Sequence, residues 1–159
     1  MSRRIKLDKI DRKILKDLQE NGRITNVELA KNAGISAPPC LRRVRALEEA
    51  GFIRSYHARL SASALGYSLT VFAHVKLTSQ SENDLKKFEE QCKKWPVVRE
   101  CHMLSGEVDF LLRVVARDWD AYQEFLTSEL TAFPGVTSVK TMPRVRSSKE
   151  DVGVPVDVE

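Results

Sequence analysis

Cysteine, aromatic residues and long apolar runs are all scarce in this sequence. The three cysteines, Cys40, Cys92 and Cys101, are an odd number at wide and irregular spacings. That pattern excludes a disulfide framework and offers no zinc-ligand spacing, so they read as reduced thiols. No apolar stretch approaches the ~20 residues that cross a bilayer. The opening Met1-Ser2-Arg3-Arg4-Ile5-Lys6 lacks the apolar core of a signal peptide. The sequence therefore predicts a cytoplasmic protein without membrane contact. A glycine-rich phosphate loop, a Cys-x-x-Cys pair and a nucleophile elbow are also missing, so the expectation is a non-enzyme with no cofactor and no metal.

What the chain does have is an ordinary globular composition, 42% hydrophobic and 30% charged over 159 residues, with its charge unevenly placed. Residues 1–60 carry 14 Lys and Arg against 7 Asp and Glu, a net +7; residues 61–159 carry 12 against 15, a net −3. A basic segment of that kind suits a polyanion, because each cation placed against a phosphate releases condensed counterions.

In the basic third, Leu7, Ile10, Ile14 and Leu18 recur at helical spacing and predict a first helix ending near Asn21-Gly22. Thr25 and Glu28 form a capping box, with Ile24 and Leu29 as its hydrophobic staple, so a second helix starts at Thr25 and stops at Gly34. Only Ile35 separates that glycine from Ser36, an N-cap for a third helix, which is the geometry of a helix-turn-helix. The third helix opens on Pro38-Pro39, points Cys40, Leu41, Val44 and Leu47 inward, and presents Arg42, Arg43 and Arg45. Arginine grips phosphates and donates two hydrogen bonds to a guanine edge. The candidate DNA-contacting set is Ser36, Pro38, Arg42, Arg43, Arg45 and Arg54; a surface helix with solvated charges is the alternative. Phe52 to Leu60 alternates as a wing or linker strand would.

From Tyr67 the period changes to two, with Tyr67, Leu69, Val71, Ala73, Val75 and Leu77 on one face. Ser81 caps a helix with Leu85, Phe88 and Cys92 inward. Val97 to Leu104 and Asp109 to Ala116 follow as strands around the turn at Ser105 to Val108. Asp118 caps a helix bearing Tyr122, Phe125, Leu126 and Leu130, broken at Phe133-Pro134-Gly135 before a strand from Val136. The order β-α-β-β-α-β predicts an α+β, ferredoxin-like sandwich. The boundaries expected are 1–60 for the helix-turn-helix domain with a linker strand to about 66, 67–146 for the sandwich, and 147–159 for a tail without structure. The sheet face bearing Phe72 is too apolar for water, which predicts a second copy against it.

Three stretches carry a family resemblance: Leu7-Asp8-Lys9-Ile10-Asp11-Arg12-Lys13-Ile14-Leu15; Gly34-Ile35-Ser36 running into Cys40-Leu41-Arg42-Arg43-Val44-Arg45-Ala46-Leu47-Glu48 and Gly51-Phe52-Ile53; and Cys101-His102-Met103-Leu104-Ser105-Gly106-Glu107-Val108-Asp109-Phe110-Leu111-Leu112. From about Leu7 to Arg146 the chain resembles the Lrp/AsnC family of feast/famine regulators, nearest its leucine-responsive branch. The resemblance implies a transcription regulator whose N-terminal winged helix-turn-helix binds double-stranded DNA; the two-fold dimer expected from the Phe72 face would present two such units to a palindromic site. The resemblance also implies dimers joined through the C-terminal sheets, assembly to octamers, and amino-acid effectors. By the same resemblance the effector site comprises Leu104, Gly106, Glu107, Val108, Asp109, Thr131 and Met142, with Asp109 holding the ammonium and backbone near Gly106 meeting the carboxylate. On the residues alone, Gly106 serves a hairpin turn and Asp109 caps it. Pro143 departs from the β-branched residue of the leucine-responsive proteins and is a candidate to shorten the last strand. Two other functions share features with this reading. One is a siroheme-decarboxylase-like enzyme, against which Cys101 and His102 stand on opposite strand faces. The other is an architectural DNA-packing protein of low sequence preference.

Overall fold

In the computed structural model of the chain, which describes residues 6–158, three helices are followed by a four-stranded sheet with further helices. The chain divides into two units: residues up to Arg59 together with those from Lys149 onward, and residues Leu60–Ser148.

The first unit is built on α1 (Lys9–Glu20), α2 (Asn26–Ala33) and α3 (Ala37–Glu49). Two reciprocal caps start its helices. Asp8 accepts from the Asp11 amide at 2.8 Å while Asp11 accepts from the Asp8 amide at 3.1 Å. Thr25 and Glu28 repeat the arrangement at α2, as the sequence predicts. Ile14, Leu29, Ala30, Cys40 and Leu47 are the buried core between the three helices. Leu41 corrects the expected inward set: it is 40% exposed. The expected strand over Phe52 to Leu60 is not formed; from Ile53 to Leu60 the backbone has no regular structure. Alternation alone makes no strand, because a strand needs a neighbour for its N–H and C=O groups. The segment is instead tied back to α3 by the Tyr56 hydroxyl, which donates to Glu48 Oε1 at 2.9 Å. Partial burial and that carboxylate push the Tyr56 phenol up to about 12.

The tail is irregular, yet residues 150–157 lie against the first unit. The Gln19 side-chain amide donates to the Val154 carbonyl at 2.8 Å and accepts from its N–H at 3.1 Å, as a neighbouring strand would. Arg59 pairs with Glu150. Gly153 is left-handed, with φ of 74°, which favours glycine, and a Cβ there would displace the Gln19 side chain from Val154.

The second unit has the expected β-α-β-β-α-β order: β1 (Leu69–Leu77), α4 (Glu82–Lys94), β2 (Val98–Met103), β3 (Phe110–Ala116), α5 (Trp119–Phe125) and β4 (Val136–Pro143). The strands form one antiparallel sheet in the order β2-β3-β1-β4. Val71, Ala73, Val75 and Leu77 of β1 and Phe110, Leu112, Val114 and Ala116 of β3 alternate into a core shared with Phe88, Cys92, Trp95, Tyr122, Phe125 and Leu130. α5 stops at Phe125 and the chain continues through a π turn, Leu126–Leu130, in which the Thr131 amide reaches back to the Leu126 carbonyl at 2.9 Å. Pro143 does not shorten β4: it pairs opposite Val71, and the Arg144 amide still donates to Thr70. β4 is an edge strand, where a proline's missing N–H faces no neighbour.

Candidate DNA-binding surface and effector loop

The approach of α2 to α3 is set locally. Gly34 is left-handed, with φ of 72°, and the Ile35 amide donates to the Ala30 carbonyl at 3.0 Å, which reverses the chain within two residues. The Asn26 side-chain amide then donates to the Ala37 carbonyl at 2.9 Å and joins the two helix starts. Ser36 has the extended backbone of an N-cap but its side chain caps nothing. The reason lies in the sequence: an N-cap side chain accepts from the second or third helical N–H, and those positions are Pro38 and Pro39. The Ser36 hydroxyl is left at the exposed mouth of the helix.

α3 turns Cys40 and Leu47 into the core, with Val44 half-buried between them. Pro38, Leu41, Arg42 and Arg45, at spacings of three, one and three, are exposed on the opposite side. Arg43 is not part of this stripe. Its Nη1 donates at 2.7 Å to both Asp8 and Asp11, so the guanidinium bolts α3 to the start of α1. The backbone N–H of Asp11 and this guanidinium hold the Asp8 carboxyl below the usual aspartate range. Of the six sequence-predicted residues, Pro38, Arg42 and Arg45 share one exposed side of α3, Ser36 stands exposed at its N-cap, Arg54 is exposed beyond the helix, and Arg43 is taken up in internal pairing. Sequence reasoning missed Leu41 as an outward residue, although its place three after Pro38 and four before Arg45 is the signal.

In the second unit, the β2–β3 loop is closed by the Leu104 amide donating to the Asp109 carbonyl at 2.8 Å. Gly106 has φ of 145° with open space where a Cβ would stand, so the backbone, and no neighbour, calls for glycine. Asp109 Oδ2 accepts from the Leu77 amide at 2.7 Å and from Gln80 at 3.3 Å. It thereby serves Leu77 where β3 has already turned away. Among the described residues Oδ1 of this half-buried side chain accepts no hydrogen bond. Leu104 to Glu107 are exposed and Val108 is half-buried beside them.

Thr131 is exposed at the end of the π turn, its hydroxyl donating to the Leu126 carbonyl at 2.8 Å. Met142 stands elsewhere. It pairs opposite Phe72, five residues along β1 from Leu77, or about 17 Å at strand rise. Leu104 to Asp109 are thus together in one chain, and Met142 is not with them. Phe72, Leu111, Val115 and Met142 lie half-buried on the sheet face opposite the core, bordered by Arg113, whose Nε donates to Glu100 at 2.6 Å.

No helix among the described residues is long and apolar enough to cross a membrane. Residues 7–54 match a winged helix-turn-helix DNA-binding family, and residues 70–154 match the Lrp/AsnC ligand binding domain. The leucine-responsive regulatory protein of Rhizobium meliloti is 55% identical over 96% of this chain and 98% of its own. The Bkd operon transcriptional regulator of Pseudomonas aeruginosa is 43% identical over 89% and 92%. A transcriptional regulator of Neisseria meningitidis, solved as its complex with L-methionine, superposes with a TM-score of 0.92 at 37% identity, covering 96% of this chain and 98% of that one. Its two matched domains, their order and these relatives agree: the chain belongs to the Lrp/AsnC family of transcription regulators.

Proposed function

We propose that α3 enters the major groove of double-stranded DNA and that an apolar amino acid, bound at the 104–109 loop, modulates DNA binding or assembly. The observation that carries the DNA half is the exposed edge of Pro38, Leu41, Arg42 and Arg45 set opposite the core side of the same helix. Arg42, Arg45 and Arg54 supply charge to phosphate or guanine, and Ser36 adds a hydroxyl. Arg43 acts by fixing the angle of α3. Replacing Arg42 and Arg45 together with Ala lowers operator affinity more than about tenfold and reduces the salt slope by about one for each phosphate no longer neutralised, read in gel shifts across a salt series. An unchanged slope refutes the assignment.

For the effector, the support is a carboxylate with one oxygen pinned and the other open, beside the exposed backbone segment Ser105 to Glu107, which suits the two ends of a zwitterion. The methionine bound to the Neisseria relative and the leucine in the name of the Rhizobium one suggest the apolar class. Met142 would then serve the side chain only if a second copy brings it near, with Thr131 as the further residue of the set. The half-buried Phe72 face is the surface for that copy, in a dimer whose two α3 helices address a palindrome and whose dimers gather into an octamer. Calorimetric titration of leucine and methionine into wild type and Asp109→Ala is the test. A loss of binding with unchanged DNA affinity supports the site; equal binding shows Asp109 to be a turn residue alone. Sedimentation showing a monomer at micromolar concentration removes the assembly.

A further inference from the structure

The leading edge of α3 carries almost no hydrogen-bonding side chain. Its first turn is Ala37-Pro38-Pro39, without a polar side chain and with two amides removed, and the next outward residue is Leu41, 40% exposed. The arginines of the edge come only with Arg42 and, a turn further, Arg45. An exposed leucine by itself is common and means little. Here it stands in a stripe with Pro38, Arg42 and Arg45, on the side away from Cys40 and Leu47, in the part of a recognition helix that meets base edges. The major-groove edges of the four base pairs carry donors, acceptors and one apolar group, the C5-methyl of thymine.

We infer that Leu41, backed by Pro38, reads the C5-methyl of thymine in each half-site, while Arg42 and Arg45 hold phosphate or guanine beside it. The inference rests on the reading of α3 as the DNA-facing helix and adds a specificity determinant to it. It says that part of this protein's sequence preference is written in methyl groups. Such an interaction is driven by removing apolar surface from water and needs no donor, which matches a first turn without a polar side chain. Ser36 adds an exposed hydroxyl at this end, left without a capping role by the two prolines.

The test first selects a preferred duplex from random sequences using the full-length protein. Each thymine of one half-site is then replaced singly by deoxyuridine, which removes the methyl and leaves every hydrogen-bonding group in place. Wild type is expected to lose about fourfold in affinity at one or two neighbouring positions, the value of one buried methyl. Leu41→Ala is expected to bind the parent duplex more weakly and to lose nothing further at those positions, so that the two changes couple in a double-mutant cycle. Because the deoxyuridine scan uses unaltered protein, its outcome does not depend on how the variant folds. Tight, selective binding with no deoxyuridine effect anywhere overturns the inference and leaves the regulator reading intact. A deoxyuridine effect that persists undiminished in Leu41→Ala also overturns it, since another group then reads the methyl. Failure to select any duplex overturns the DNA-facing reading of α3, and the inference falls with it.

Discussion

The two units are held together by different means. The second has a core of fourteen buried residues among those described, with Phe88 at its centre: its ring lies 4.8 Å from Phe110, 5.5 Å from Phe133 and 6.2 Å from Trp95, the last two edge to face. The first buries five apolar residues among those described, none of them aromatic. With so little apolar area, it relies on helix ends: two capping boxes and one arginine that bridges two carboxylates. The difference teaches that the DNA-reading unit depends on polar geometry and the ligand-binding unit on buried surface. Substitutions should therefore act on them by different routes.

The largest effect is expected in the second unit. Phe88→Ala opens a cavity among Trp95, Phe110 and Phe133 and costs about 3–5 kcal/mol, enough to lower its melting temperature sharply in calorimetry. If the units are independent, the transition assigned to the first stays in place; a joint shift of both would dissolve the contrast. A smaller effect follows in the first unit. Arg43→Ala leaves Asp8 and Asp11 side by side without their shared donor and costs about 1–2 kcal/mol, since these groups are partly hydrated. Its DNA salt slope should match wild type, unlike that of the Arg42 and Arg45 variants; a reduced slope would return Arg43 to the phosphate-binding set.

The smallest effect is a dependence on acid. The Asp8 carboxyl lies below the usual aspartate range in the folded chain, chiefly through the Asp11 amide and also through Arg43. The unfolded chain binds the proton more readily, so this contribution is whole above about pH 4 and fades as pH falls through the lowered folded value. Urea unfolding at pH 6 and pH 3 should show a smaller acid loss in Asp8→Asn than in wild type. Equal losses would mean that the cap carries none of the dependence.

Much of the architecture was legible because it is written in local patterns. Thr25 with Glu28, Gly34, Ser81 and Asp118 mark helix ends through chemistry confined to a turn, and the alternation from Leu69 to Leu77 sorts β1 into two faces. What escaped depends on distant partners. That Arg43 differs from Arg42 and Arg45 follows from carboxylates more than thirty positions earlier, which no spacing on α3 reveals. The strand-like alternation of residues 53–60 finds no pairing partner among the described residues, and the π turn replaces the last α-helical turn at Leu126. At the β2–β3 loop, Gly106 was readable as a turn glycine. The attachment of Asp109 to the Leu77 amide was not, because it joins strands through the sheet.

The return of residues 150–157 to the first unit bears on the order in which the protein is made. Helices α1 to α3 leave the ribosome first and hold a complete small core, whereas the backbone that pairs with Gln19 emerges only after the entire sheet unit. For that interval the flank of α1 around Gln19 is uncovered and its amide is hydrated. The DNA-reading unit thus matures in two stages, and the second is timed by the synthesis of its ligand-binding companion.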